Sequence, residues 1–301
     1  MLLLTIVYEK EKQDIMAELN EMKKYFEARS ISLGISESIN LGTHFVKIFC
    51  NDIDFNPKLK NKFILYISNI LYKIVIDEFC SDEIQQFLID TYFFLRYEEM
   101  KEVTNRSIQI LKNEEKITDE DMVYCQNKKN DIVNKIKTCI EENDEINIQG
   151  FITFRMKELT GELEDIINKV VEKYMAEKEY NEFIKLLKYF VDVQESKIDL
   201  VNIVVRKDGS YLVRDKNDND IMYEMLNDLS DTKYSDSVSV EDLIISGLIT
   251  YCPENIIIHC KDNCKNKEVI DTITKVFEDR VQFCNGCKNC KSKNTNGIIK
   301  V

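Results

Sequence analysis

The sequence predicts an α+β protein: a small N-terminal α/β layer, a helical middle, and a C-terminal hairpin followed by a βαβ unit. Three observations carry this prediction. Short runs of β-branched and aromatic residues flank one amphipathic stretch at the start, and apolar residues then recur at helical spacing through residues 56–196. Strand-like runs return after residue 197, around a turn signal. A chain of 301 residues suits one large domain or two ordinary ones. The expected regions are 1–55, 56–196 and 197–301, the last with a cysteine-rich tail.

In the first region Leu2 to Val7 and Thr43 to Phe49 read as strands, Asp14 to Ala28 as a helix, and Arg29 to Ile35 as a weaker strand. The middle opens at Asn56-Pro57, an N-cap followed by proline at the first helical position, where its missing N–H costs nothing. Leu59, Phe63, Ile67, Ile70, Leu71 and Ile74 follow on one face, and Ser81 is expected to restart a helix. Thr118 to Asp121 should cap the next helix, with acids at the positive end of its dipole. Phe151 to Met175 and Asn181 to Val193 read as two further helices, and a bundle is the economical arrangement.

In the last region Leu200 to Val205 and Ser210 to Arg214 flank Lys207-Asp208-Gly209, a hairpin signal. Ser239 caps a helix from Val240 to Thr250 that Pro253 ends. Asn255 to Cys260, an amphipathic helix through Val269 and Phe277, and Arg280 to Cys284 then form strand, helix and strand. A connection that short implies a parallel pair with a right-handed crossover.

Composition removes many functions. Lys and Arg number 41 against 54 Asp and Glu, a net charge of −13. Such a surface disfavours a nucleic-acid backbone or an anionic membrane as the main partner and suits protein partners. None of the eight glycines is spaced as G-x-G, so dinucleotide fingerprints and phosphate loops are absent. Only His44 and His259 could serve histidine chemistry, and neither accompanies an HExxH or GxSxG motif. Seven arginines beside 34 lysines, with no tryptophan, are what AT-rich codons supply. The opening MLLLTIVYEK lacks the basic flank and length of a secretory signal. The apolar stretch Phe63 to Ile76 contains Asn69 and Lys73 and is shorter than the ~20 residues a bilayer requires. The expectation is therefore a cytoplasmic protein without membrane insertion, its ten cysteines reduced or metal-bound.

Those cysteines pose the main chemical question. Cys260, Cys264, Cys284, Cys287 and Cys290 make a C-x3-C followed by C-x2-C-x2-C. Cys260 and Cys284 close the two strands of the βαβ unit, so both belong to one end of a sheet whose strands lie ~4.8 Å apart. The other three belong to loops leaving that end. Four thiolates in a tetrahedron make a structural zinc site. An iron–sulfur set needs a further C-x3-C-P that Lys291 to Asn294 does not supply, and a redox C-x-x-C usually opens a helix where a polar tail follows here. Reduced, unligated thiols are the remaining alternative. A catalytic zinc would keep an open position and a nearby base, for which Glu254 and Asp262 are the nearest acids in sequence.

Alternation places His259 on the opposite face from Cys260, so it reads as a core or surface histidine. Cys50, Cys80, Cys125 and Cys139 behave as small apolar residues. Arg155 and Glu158, three apart on a helix, read as a surface ion pair, with a binding groove as the alternative, and the Glu162, Glu164, Asp165 run as a solvated face. Arg206, Lys207 and Arg214 are neutralised by Asp208, Asp215, Asp218 and Asp220, giving a solvated hairpin.

Three stretches, INIQGFITFRMKEL at Ile146 to Leu159, EDLIISGLITYCPENIIIH at Glu241 to His259 and DTITKVFEDRVQFCNGC at Asp271 to Cys287, resemble the sporulation protein YtxC-like family. The resemblance implies a cytosolic protein of endospore-forming bacteria and brings no catalytic residue, substrate or cofactor. The combined expectation is a sporulation-associated interaction or regulatory protein with no catalytic residues. The alternative is a zinc-binding or redox protein using the C-terminal cysteines.

Overall fold

A computed structural model describes residues 1–9, 15–112, 119–229, 239–287 and 290. Asp14, Thr118 and the Lys291 to Asn294 tail lie outside the described residues. The chain divides into two compact units, Met1–Met175 and Ala176–Val301.

The first unit carries a four-stranded sheet. Strands β1 (Leu2–Glu9), β2 (Leu33–Asn40) and β3 (Thr43–Cys50) are antiparallel neighbours, and β4 (Glu145–Asn147) adds in parallel to β1, giving the order β2-β3-β1-β4. Helix α1 (Met16–Glu27) buries Leu19, Met22 and Phe26 in one cluster with Leu4 and Ile6 of β1 and Val46 and Ile48 of β3. The strand expected from Arg29 begins only at Leu33. Ser30 takes a left-handed backbone, φ 60°, and that turn delays the extended run.

Helices α2 (Pro57–Glu78), α3 (Ile84–Thr91), α4 (Tyr97–Leu111), α5 (Glu120–Glu142) and α6 (Ile148–Val193) make the helical middle. Asn56 caps α2 by accepting the Leu59 N–H at 2.9 Å, and Asp119 caps α5 by accepting from Met122 at 3.0 Å. Ser81 does not start a helix. Its hydroxyl donates to the Asp77 carbonyl one turn back, 2.7 Å, and a π-helical stretch, Phe79–Glu83, carries the chain straight into α3. Residues 148–193 form one helix instead of two, because Ala176-Glu-Lys-Glu-Tyr180 contains no glycine or proline to interrupt it. Asn147, the last residue of β4, accepts from the Gly150 N–H at 2.9 Å and so begins α6 directly.

The second unit is built on another four-stranded sheet. Strand β5 (Leu200–Val205) pairs antiparallel with β6 (Tyr211–Arg214), and β7 (Asn255–His259) lies parallel between β5 and β8 (Val281–Phe283), giving the order β6-β5-β7-β8. The hairpin closes at Gly209, whose φ of 91° suits a residue without Cβ and whose N–H donates to the Arg206 carbonyl. Helices α7 (Met222–Leu229), α8 (Val240–Tyr251) and α9 (Lys267–Phe277) complete the unit. Ile244 and Leu248 of α8, and Val269, Ile273, Val276 and Phe277 of α9, cluster with Val201, Ile203, Ile256 and Ile258 of the sheet. At ~1.5–3 kcal/mol for each large apolar side chain withdrawn from water, this face holds the βαβ unit closed. No helix among the described residues is long and apolar enough to cross a membrane.

Candidate metal centre

Parallel register positions the site. Ile258 pairs with Phe283, and the Cys284 N–H continues the ladder by donating to the Ile258 carbonyl at 2.9 Å. One residue further along each strand, His259 and Cys284 share the sheet face opposite Ile258 and Phe283. The chain then turns at Gly286, φ 111°, whose N–H points at the Cys284 sulfur from 3.4 Å. That turn returns Cys287 and Cys290 to the imidazole.

The ligand atoms of His259, Cys284, Cys287 and Cys290 all lie within 4.8 Å of one another. Cys290 Sγ is 3.7 Å from Cys284 Sγ and 3.8 Å from Cys287 Sγ, while His259 Nδ1 is 3.4 Å from Cys287 Sγ and 3.6 Å from Cys290 Sγ. Tetrahedral zinc, with Zn–S bonds of ~2.3 Å and a Zn–N bond of ~2.0 Å, spans S···S edges of about 3.8 Å and S···N edges of about 3.5 Å. Four of the six donor separations therefore match a tetrahedral zinc-type site, and those from Cys284 to Cys287 and to His259 lie within 4.8 Å. Three sulfurs and one imidazole are also the chemistry that selects zinc over hard cations.

The imidazole is oriented from the other side. His259 is buried, 4% exposed, and its Nε2 lies 3.1 Å from Asn202 Oδ1 on β5. The Asn202 amide nitrogen donates to the Asp215 carbonyl, 3.4 Å, which turns Oδ1 toward His259 and makes Nε2–H the donor. Nδ1 is left with its lone pair facing the thiols. Burial lowers the His259 pKa, which favours this neutral ring. At Cys284 the Gly286 N–H lowers the thiol pKa, but burial and hydrogen bonds with Cys287 and Cys290 outweigh it and leave the value raised. Burial, opposed by a backbone hydrogen bond at Cys287 and reinforced by the Cys260 thiol, raises Cys290 as well.

Of the five cysteines singled out by spacing, Cys284, Cys287 and Cys290 come together. Cys260 adopts a left-handed backbone, φ 55°, at the end of β7, and its thiol neighbours that of Cys290 outside the four-residue cluster. Cys264 is buried elsewhere in the unit, its sulfur 3.3 Å from the Tyr211 hydroxyl and 3.0 Å from the Asn266 carbonyl. His259 was the functional candidate that pattern reading passed over. The two strands align Ile258 with Phe283, so the residue opposite Cys284 is His259 and not Cys260, and the left-handed turn breaks the alternation expected between His259 and Cys260.

Other expectations resolve simply. Arg155 and Glu158 form an exposed ion pair with contacts of 2.7 and 3.0 Å. Asp208 caps the hairpin turn by accepting from the Ser210 N–H, and Arg214 pairs with Asp218 at 2.6 Å.

Fold and site together define a mixed α/β protein with a cysteine- and histidine-lined candidate metal centre in its C-terminal unit. A profile of the YtxC-like family matches residues 65–282, and the chain belongs to that family. It is 23% identical over 228 residues to Uncharacterized protein YtxC of Bacillus subtilis (strain 168), an alignment covering 72% of this chain and 76% of that relative. No solved structure matches.

Proposed function

We propose that this is a zinc-binding protein in which His259, Cys284, Cys287 and Cys290 hold one structural zinc ion and Cys260 is a neighbouring thiol outside the ligand set. The observation that carries the reading is that four of the six donor separations match the edges of a zinc tetrahedron, with the other two within 4.8 Å. Four protein ligands leave no position for an activated water, which favours a structural centre over a catalytic one. The centre's role would be to staple the segment after β8 to the end of the sheet, since metal-binding energy at such a site is folding energy. A protein so built would act by presenting a surface, in a cytosol that keeps its thiols reduced, and sporulation is the setting implied by the family resemblance.

Metal analysis of the full chain, purified without chelator or oxidant, tests this. One zinc per chain is expected, lost in Cys287→Ser and in His259→Ala and retained in Cys264→Ser. Protein without metal, with Cys284, Cys287 and Cys290 titrating freely before denaturation, would overturn it.

A further inference from the structure

The last turns of α6 are apolar on two faces. Ile184 and Val191 point into the core of the second unit, while Phe183, Leu186, Tyr189, Phe190 and Val193 remain between 43% and 62% exposed. A helix that is hydrophobic on both faces belongs in an interior. Phe183, Leu186, Phe190 and Val193 follow 3-4-3 spacing, the seam of a helix that packs against another helix.

We propose that this seam is a homodimer interface, in which α6 of one chain packs antiparallel against α6 of a second copy about a two-fold axis beside Lys188. The inference is independent of the metal centre. Two features favour a second copy. The spacing is palindromic, so the antiparallel pair sets Phe183 of each chain against Val193 of the other and Leu186 against Phe190, large against small in one layer and comparable volumes in the next. The area is sufficient. With aromatic side chains presenting ~200 Å² each when fully exposed, the five positions offer about 500 Å² per chain. Pairing would cover about 1,000 Å², the lower bound for a specific interface. The net charge of −13 on each chain opposes the approach, so the dimer is a weak one, with Kd in the micromolar range.

Sedimentation equilibrium of the full chain, up to roughly 100 µM at about 0.15 M salt, tests the proposal. A reversible monomer–dimer equilibrium is expected. Phe183→Glu with Phe190→Glu should weaken it at least tenfold, with the monomer's thermal melt unchanged because both positions face outward. Should that pair perturb the fold, Leu186→Gln decides: this exposed seam residue lies nearest the two-fold axis, and its loss alone should weaken association severalfold. A chain that stays monomeric at the highest concentration overturns the proposal, whether another protein or its own residues 291–301 cover the seam. So does a dimer indifferent to both sets of substitutions.

Discussion

Asn202 and His259 meet across the parallel β5–β7 pair, with the Asn202 amide oxygen 3.1 Å from His259 Nε2. This one contact decides which ring nitrogen is protonated and therefore which one faces the cysteines. Asn202 is itself anchored by its donation to the Asp215 carbonyl, so the orientation extends from the turn after β6, through the amide, to the imidazole. Partners of this kind behind a ligating histidine fix its rotation and raise its basicity.

Replacing Asn202 by leucine, of similar size but without an acceptor, tests that relationship. The zinc affinity of Asn202→Leu should fall ~10–100-fold, the usual cost of losing such a partner. Competition with a chromophoric chelator measures it. Unchanged affinity would mean that packing alone orients the ring, or that His259 is not a ligand.

The same groups set the pH dependence. Thiol ligands bind as thiolates, so zinc must displace their protons. The Cys284 and Cys290 pKa values lie above the ordinary thiol value, and both groups are protonated at neutral pH. His259 is lowered and is already a neutral base there. Binding at about pH 7 should therefore release thiol protons and no imidazolium proton. The affinity should climb with pH by at least ~2 decades per unit, one for each of the two raised thiols, and fall correspondingly in acid. Calorimetry in two buffers of different ionisation enthalpy counts the protons, and a pH-independent affinity would exclude Cys284 and Cys290 as ligands.

Much of this was legible in the sequence where one local signal sufficed. Asn56-Pro57 announced α2, Lys207-Asp208-Gly209 announced the hairpin, and two strands joined by a short helix announced the parallel pair of β7 and β8. What escaped depended on register or on distant partners. Strand β4 has only three residues, too few to display alternation, and owes its conformation to pairing with β1 some 140 positions earlier. Helix α4 is capped at Arg96, whose backbone N–H donates to the Glu99 carboxylate, one half of a capping box without the usual serine or aspartate. At the candidate centre the thiol spacing was visible, while the histidine depended on a one-residue offset between strands. No periodicity within either strand encodes that offset.

Lys129 supplies a test of the first unit. It is a buried cation, 5% exposed, and its Nζ donates to the Ile110 carbonyl at the end of α4 from 2.9 Å. Burial holds its pKa below the ordinary lysine value, with Cys125 opposing only in part. Between that lowered value and the ~10.4 of an unfolded lysine, the unfolded chain binds more protons than the folded one, so this group's contribution to stability rises with pH. The penalty is complete below the folded pKa and absent above the unfolded one. Lys129→Met keeps the apolar stem and cannot titrate. It also removes one donor from Ile110, which retains the Lys112 N–H, at a cost of ~1–2 kcal/mol. That cost offsets the two proteins similarly at every pH and leaves the slope to the ammonium. Wild type should therefore gain on Lys129→Met as pH rises from about 8 toward 10.5, read as the difference between urea midpoints at matched pH. A difference that stays flat would mean that Lys129 keeps its charge in the folded protein as readily as in the unfolded one.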